Sequence, residues 1–340
     1  MIAPTGGSLP AIQHPHLLQN YTRANINFIR GEGVWLIDDG GERYLDLVAG
    51  IAVCALGHAH PAIVGAIAAQ AATLVHCSNL YHHEPAGELA TKLAELSGYE
   101  RVFFCNSGTE ANEAAIKLAR KRAFRLGQKD RNVIVACRNS FHGRTMGALA
   151  ATDNPKYHEG FEPLPGGFTF TPLNDVAALE TAIDEHTAAF IVEPVQGESG
   201  VFPATLEFLQ AARQITTQRG ALLIFDEIQT GMGRTGKLFA YQRLGVRPDV
   251  VTLAKALANG LPIGAILVDS EAVTALQPGD HCTTFGGSPV PCAAALAHLN
   301  LRDRMDLDKH VNAMGELLMQ ELREIAASER ERFGEPRGLG

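Results

Sequence analysis

The chain has no CxxC pair, no apolar run approaching the roughly 20 residues of a bilayer span, and no basic tract interleaved with aromatic residues. Each absence excludes something. Six cysteines (Cys54, Cys77, Cys105, Cys137, Cys282 and Cys292) lie far apart, which argues against a zinc site or a disulfide framework and for reduced, mostly buried thiols. A balance of 29 basic against 37 acidic residues, net charge -8, does not suit a nucleic-acid surface. The first residues, Met1 to Gly7, lack a charged and then apolar signal pattern, so the expectation is a soluble, cytoplasmic protein without membrane partners. There is no internal repeat and no low-complexity linker. What remains is a chain of 340 residues, 46% hydrophobic and 19% charged, able to bury a large core and to hold two domains.

Residues 1 to about 30 carry little periodicity and read as an N-terminal arm. Two short apolar runs around Asp39-Gly40-Gly41 predict a hairpin between Gly33 and Asp46. Gly50 to His60 reads as loop. Helices are predicted from Pro61 to Ala72 and from Pro85 to about Leu96, each with proline in its favoured first turn. Beyond Gly98, strand-like runs at 101–105, 132–137, 188–192, 221–225, 250–254 and 265–268 alternate with helical stretches such as 109–124 and 206–219. Short strands apolar on both faces, alternating with helices, predict an α/β fold with a mostly parallel sheet. A helical stretch from Val290 through Glu324 is predicted to break near Asp306.

In open sheets of this kind ligands sit at the carboxyl ends of strands, so the residues that follow each run carry the information. They are Ser107-Gly108-Thr109, Phe141-His142-Gly143-Arg144, Glu193, Asp226-Glu227-Ile228-Gln229 and Lys255. Ser107-Gly108-Thr109 precedes a helix, where free N–H groups favour a phosphate; an ordinary N-cap, with Glu110 and Glu113 in the first turn, explains it too. Asp226 ends the most hydrophobic strand and needs a partner: a protonated pyridine nitrogen, an arginine or a metal. Its neighbour Glu227 points to the opposite face of a strand, which disfavours a shared ion. The pairs His58/His60 and His82/His83 lack a carboxylate or cysteine at metal-binding spacing and read as structural; no metal site is expected. Lys255 ends an apolar strand and enters a turn rich in glycine and proline. Such a lysine either reaches water or is used chemically, because a buried ammonium is costly.

Together, Asn106 to Glu113, Phe141 to Thr145, Glu193-Pro194-Val195-Gln196-Gly197-Glu198, Asp226 to Gly231 and Lys255 resemble, in order and over most of the chain, the class III pyridoxal-phosphate-dependent aminotransferases, and within them the acetylornithine branch. The resemblance implies a fold-type I PLP-transferase: an N-terminal arm and part of a small domain (1–60), a large cofactor-binding domain (61–290), and a connecting helix leading into an incomplete small domain (291–340). It implies that Lys255 carries pyridoxal 5'-phosphate and moves the proton, and that Asp226 pairs with the pyridinium nitrogen. Cofactor contacts would come from Ser107, Gly108, Thr109, Phe141, Glu227, Ile228 and Gln229, with Thr284 reaching the phosphate of a partner subunit in a homodimer. Arg144, Thr283 and the gate carboxylate Glu198 would serve the substrate. The implied reaction converts N-acetylornithine and 2-oxoglutarate to N-acetylglutamate 5-semialdehyde and glutamate, a step of arginine biosynthesis. Ornithine, succinylornithine, γ-aminobutyrate and diaminopimelate-pathway donors are the alternatives.

Two departures stand out. Cys54 occupies a position where related sequences often carry asparagine. The chain ends at Arg337-Gly338-Leu339-Gly340, where the family continues into the part that holds a second substrate arginine; Arg337 does not match it. That departure implies weak turnover of 2-oxoglutarate, with a buried, uncompensated Glu198, and leaves open a cofactor-binding chain deficient in catalysis.

Overall fold

A computed structural model describes His14 and residues 16–340; the rest of the expected N-terminal arm lies outside the described residues. Seven strands form the central sheet: β1 (Arg101–Cys105), β2 (Val133–Cys137), β3 (Phe168–Thr171), β4 (Thr187–Val192), β5 (Leu222–Asp226), β6 (Val250–Leu253) and β7 (Gly264–Val268). Their spatial order is β1-β7-β6-β5-β4-β2-β3. All run the same way except β7, which pairs antiparallel with both β6 and β1.

Alternate residues of these strands enter two separate apolar clusters. Val135, Phe190, Leu223, Phe225, Val251 and Leu267 go to one face, and Ile134, Ala189, Ile191, Ile224, Val250 and Ile266 to the other. This period of two, apolar on both sides, is what a sheet covered on both faces requires. The helix Gly108–Arg125 packs on the second face through Ala111, Ala114, Ala115 and Leu118, while Leu206–Arg219 covers the first through Phe208, Leu209 and Ala212.

Local signals set the helix ends. The Thr205 side chain accepts from Phe208 N, and Gly220 closes the helix Leu206–Arg219 in the left-handed region. His83 and Gly98 do the same for the helix Glu84–Ser97. Asp306, at φ 46°, separates Pro289–Arg304 from Leu307–Ser328 at the predicted break.

The N-terminal hairpin pairs Trp35–Asp38 with Arg43–Leu45 and is joined by Phe28–Glu32 in a three-stranded sheet. The segment after it, read as loop, contains a left-handed turn: Ala49, Gly50, Ile51 and Ala52 have φ of 49°, 68°, 64° and 61°. Such residues cost about 1–2 kcal/mol each when they are not glycine. Asp46 holds the turn, accepting from Val48 N and Ala49 N and pairing with His58 at 2.7 Å. His60 and His83 act as helix caps, accepting from Ala62 N and Ala86 N.

Three of the six thiols are buried (Cys105, Cys137 and Cys292), while Cys282 is exposed and the other two are intermediate, so burial is less general than the sequence suggested. No helix among the described residues is long and apolar enough to cross a membrane.

Candidate active site

The strand ends meet at one cavity of about 420 Å³, lined by Ser107, Gly108 and Thr109 after β1, Phe141 to Arg144 after β2, Glu193 after β4, Asp226 at the end of β5, and Lys255 after β6. Ile228, Gln229, Val53 and the stretch Gly260–Ile263 complete it. The register of β5 and β6, Asp226 opposite Thr252, places the aspartate and Lys255 on neighbouring strands at the same edge.

The turn between β1 and its helix leaves the first N–H groups of an 18-residue helix facing the cavity. Ser107 is the N-cap, its Oγ accepting from Glu110 N at 3.4 Å, and Glu110 binds back to Asn106 N at 2.8 Å. Glu113 instead reaches across to Gly147 N and Ala148 N, so it anchors the next wall rather than its own helix start. A Cβ on residue 108 would lie 2.8 Å from Ile228 Cδ1, so glycine is what lets the turn approach that side chain. Thr109 Oγ1 is 2.8 Å from Thr145 Oγ1.

Asp226 is buried and held from behind. Its Oδ2 accepts from Asn112 Nδ2 and lies against His142 Nδ1, both at 2.8 Å, and Oδ1 accepts from Ile228 N at 3.1 Å. Asn112 also donates to His142 O at 2.6 Å, tying the helix to the β2 loop. Burial works against charge on His142, but its bond to Asp226 and the charges of Asp226 and Glu193 outweigh it and raise the imidazole. Its Nε2, like Asn112 Oδ1, has no partner among the described residues. Glu193 accepts from Phe141 N at 3.0 Å; burial holds its carboxyl up at about 7, with the Asp226 charge adding to the rise and His142 opposing it.

Lys255 opens a short 3₁₀ turn at φ 41°, a conformation that a lysine seldom adopts. Outliers of this kind are concentrated at working sites. Burial pushes its amine below the ordinary value, against the pull of Glu198 and Asp226. Such an amine loses its proton more readily and is the better nucleophile. Glu198 Oε1 lies 3.9 Å from Nζ and accepts from Gln229 Nε2 at 3.4 Å.

Two expectations, those for Glu227 and Glu198, need correction. Glu227, grouped with the cofactor contacts, turns away from the cavity: its carboxylate accepts from Ala240 N and Tyr241 N at 2.6 and 2.8 Å. Burial raises it to about 7. Strand alternation sends it to the far side of Asp226. Glu198 is exposed rather than buried, at the tip of the small ribbon formed by Val195–Gln196 and Phe202–Pro203. Thr283 and Thr284, expected at a partner subunit's site, lie outside the cavity of their own chain; Thr283 Oγ1 accepts from Asn106 Nδ2 at 3.0 Å, and Thr284 is exposed. Arg337, which the sequence did not match to the second substrate arginine, stacks on Phe202 and donates to Gly200 O at 2.8 Å, outside the cavity.

Sequence reading did not single out Asn112 or Tyr157. Asn112 did leave a trace, as a polar residue on an otherwise alanine-rich buried helix face. Tyr157, whose ring lies under Arg144, left none.

The residues suit a cofactor with a phosphate, a flat basic ring and an aldehyde. The glycine-floored helix start takes an anion, Phe141 and Ile228 offer apolar faces, and the buried carboxylate is fixed by donors behind it. The amine stands at the same cavity. Among the described residues no cluster of His, Cys, Asp and Glu could hold a metal ion.

The profile of the family described as "Aminotransferase class-III" matches residues 18–340. An acetylornithine aminotransferase of Methanocaldococcus jannaschii is 47% identical over 330 residues, covering 97% of this chain and 82% of that protein. One from Caldanaerobacter subterraneus is 54% identical over 286 residues, 84% of this chain and 72% of that protein. Among solved structures, an ornithine aminotransferase of Toxoplasma gondii, with partial occupancy of PLP at its active site, superposes with a TM-score of 0.92 at 34% identity. It covers 96% of this chain and 78% of that one.

Proposed function

The chain belongs to the class-III aminotransferases, enzymes that use pyridoxal phosphate, and from that premise we propose that it transfers the amino group of N-acetylornithine to 2-oxoglutarate. The products are N-acetylglutamate 5-semialdehyde and glutamate, a reaction of arginine biosynthesis placed in the cytoplasm. The observation that carries the reading is the convergence of Lys255, Asp226 and Arg144 on one cavity. Identity near one half to relatives named for this substrate supports the choice of donor.

When bound, pyridoxal phosphate supplies an electron sink that stabilises negative charge on the donor carbon. The chain does the rest. Gly108 and Thr109 would hold the phosphate at the helix start, with Ser107 shaping the turn. Phe141 and Ile228 would cover the two ring faces, and Gln229 would serve the hydroxyl side. Asp226, oriented by Asn112 and His142, would hold a proton on the ring nitrogen. Lys255 Nζ would anchor the cofactor and, when free, would carry the proton from the donor carbon to the cofactor carbon that takes the amino nitrogen. Arg144 receives the donor carboxylate as a two-pronged fork. Glu198, beside Lys255, is the gate that balances positive charge as donor and acceptor alternate. In a homodimer Thr284 reaches the partner's phosphate and Thr283 its substrate.

The test is a donor panel. With 2-oxoglutarate as acceptor, N-acetylornithine should give the highest kcat/KM among itself, ornithine, succinylornithine, γ-aminobutyrate and succinyl-diaminopimelate. A higher value for another donor moves the assignment within the family. Absence of glutamate formation with every donor marks a cofactor-binding chain deficient in catalysis.

A further inference from the structure

Arg144 is an exposed guanidinium at the cavity that makes no hydrogen bond or ion pair among the described residues. Its contacts are with rings. Its Cζ lies 3.6 Å from the centroid of Tyr157 and 5.7 Å from that of Phe141. The two rings meet edge to face, with centroids 6.2 Å apart and planes at 85°. A guanidinium resting on an aromatic face keeps its N–H edge free, so stacking fixes its position without consuming the donors that bind a carboxylate.

Tyr157 is itself firmly held. It lies in the short helix Pro155–His158, capped by Asn154, whose side chain accepts from Lys156 N at 3.1 Å. The next residue, His158, contacts Leu149 O and Thr152 O through Nε2 at 3.1 and 2.7 Å. The Tyr157 hydroxyl makes no hydrogen bond among the described residues. The ring, not the hydroxyl, is therefore the working part.

We propose that Tyr157 is a positioning residue that orients Arg144 for the carboxylate of the amino donor. The inference rests on the reading of Arg144 as the carboxylate fork. A freely rotating arginine loses side-chain freedom each time it binds, whereas a stacked one has already lost it. Removing the ring should weaken donor binding and leave the chemical step alone.

The experiment uses the holoenzyme with Tyr157→Ala, Tyr157→Phe and Arg144→Ala. Steady-state rates with N-acetylornithine are paired with calorimetric binding of N-acetylnorvaline, which keeps the acylated amino-acid end and lacks the reacting amine. Tyr157→Ala should raise both the donor KM and the N-acetylnorvaline Kd about 5- to 10-fold, with kcat within about twofold. Tyr157→Phe should restore both constants to within about twofold of the parent. Unchanged constants in Tyr157→Ala, with binding lost in Arg144→Ala, would overturn the role of Tyr157 and leave the carboxylate reading standing. A fall in kcat and thermal stability without a change in Kd would make Tyr157 a packing residue only. Unchanged binding in Arg144→Ala would overturn both readings.

Discussion

The carboxyl edge of the central sheet and the N-terminal three-stranded sheet break opposite rules of protein interiors. The first buries ionisable groups, Asp226, His142, Glu193 and Glu227; the second, with the turn that follows it, leaves Phe28, Ile29, Val34, Leu47, Val48 and Ile51 exposed, Leu47 to 86%. Buried charge and exposed apolar side chains are both costly in isolation, so each needs something to compensate it. At the sheet edge, part of the compensation is visible in the donors around Asp226 and Glu227. At the N-terminal sheet no described residue supplies it, and the homodimer proposed above would. On that proposal the contrast separates chemistry, assigned to polar residues inside, from assembly, assigned to apolar residues outside.

Four changes test that separation, in descending order of effect. Lys255→Ala should abolish turnover, by about 10⁴-fold or more, while the cofactor still binds through the phosphate, ring and Asp226 contacts. Borohydride trapping of the cofactor on the parent chain, followed by peptide mapping, should label Lys255, and a label on any other lysine would refute the assignment. Asp226→Asn should slow the half-reaction about 10²- to 10³-fold, the usual scale for losing one preorganised electrostatic partner, and reduce cofactor affinity less. Stopped-flow rates equal to the parent's would make Asp226 structural.

The third change probes the other region. Val48→Asp combined with Leu47→Asp places two charges on the exposed apolar face and should convert a dimer to monomers, read as a halved mass by light scattering with unchanged far-ultraviolet dichroism. A mass that stays the same would move the subunit interface elsewhere.

The smallest effect is a pH dependence at the sheet edge. Glu193 titrates near an ordinary 4.5 when unfolded and at about 7 when folded. Between those values the folded chain binds a proton that the unfolded chain does not, so this group's contribution falls as pH rises from 4.5 to 7. Urea unfolding of the parent and of Glu193→Gln should diverge across that window, by a few kcal/mol at most. Parallel curves would show that Glu193 is neutralised in another way.

What could be read in advance divides along physical lines. The strands of the sheet interior announced themselves because both faces are apolar. Phe168–Thr171 did not, since it is a four-residue edge strand next to Pro163, Pro165, Gly166 and Gly167, which read as loop. The reversed direction of β7 was not legible, because apolar content carries no polarity along the chain. At the site, strand-end residues such as Ser107, Asp226 and Lys255 were found by position. Glu227 was misplaced by grouping a motif as a block, although strand alternation already pointed it to the other face. Asn112 and Tyr157 act across elements distant in sequence, and a single sequence has no register for such contacts.

The reversed strand also has a kinetic consequence. β7 lies between β1 and β6, pairing Gly264 with Cys105 on one side and Ala265 with Leu253 on the other. The helix start at Ser107 and the amine of Lys255 therefore become neighbours only when β7 docks between two strands far apart in sequence. Closing so long a loop carries an entropy cost that local pairing does not share. During refolding the parallel strands β2 to β6 should regain their dichroism before the chain regains its affinity for the cofactor. The interval between the two signals would time the docking of that single strand.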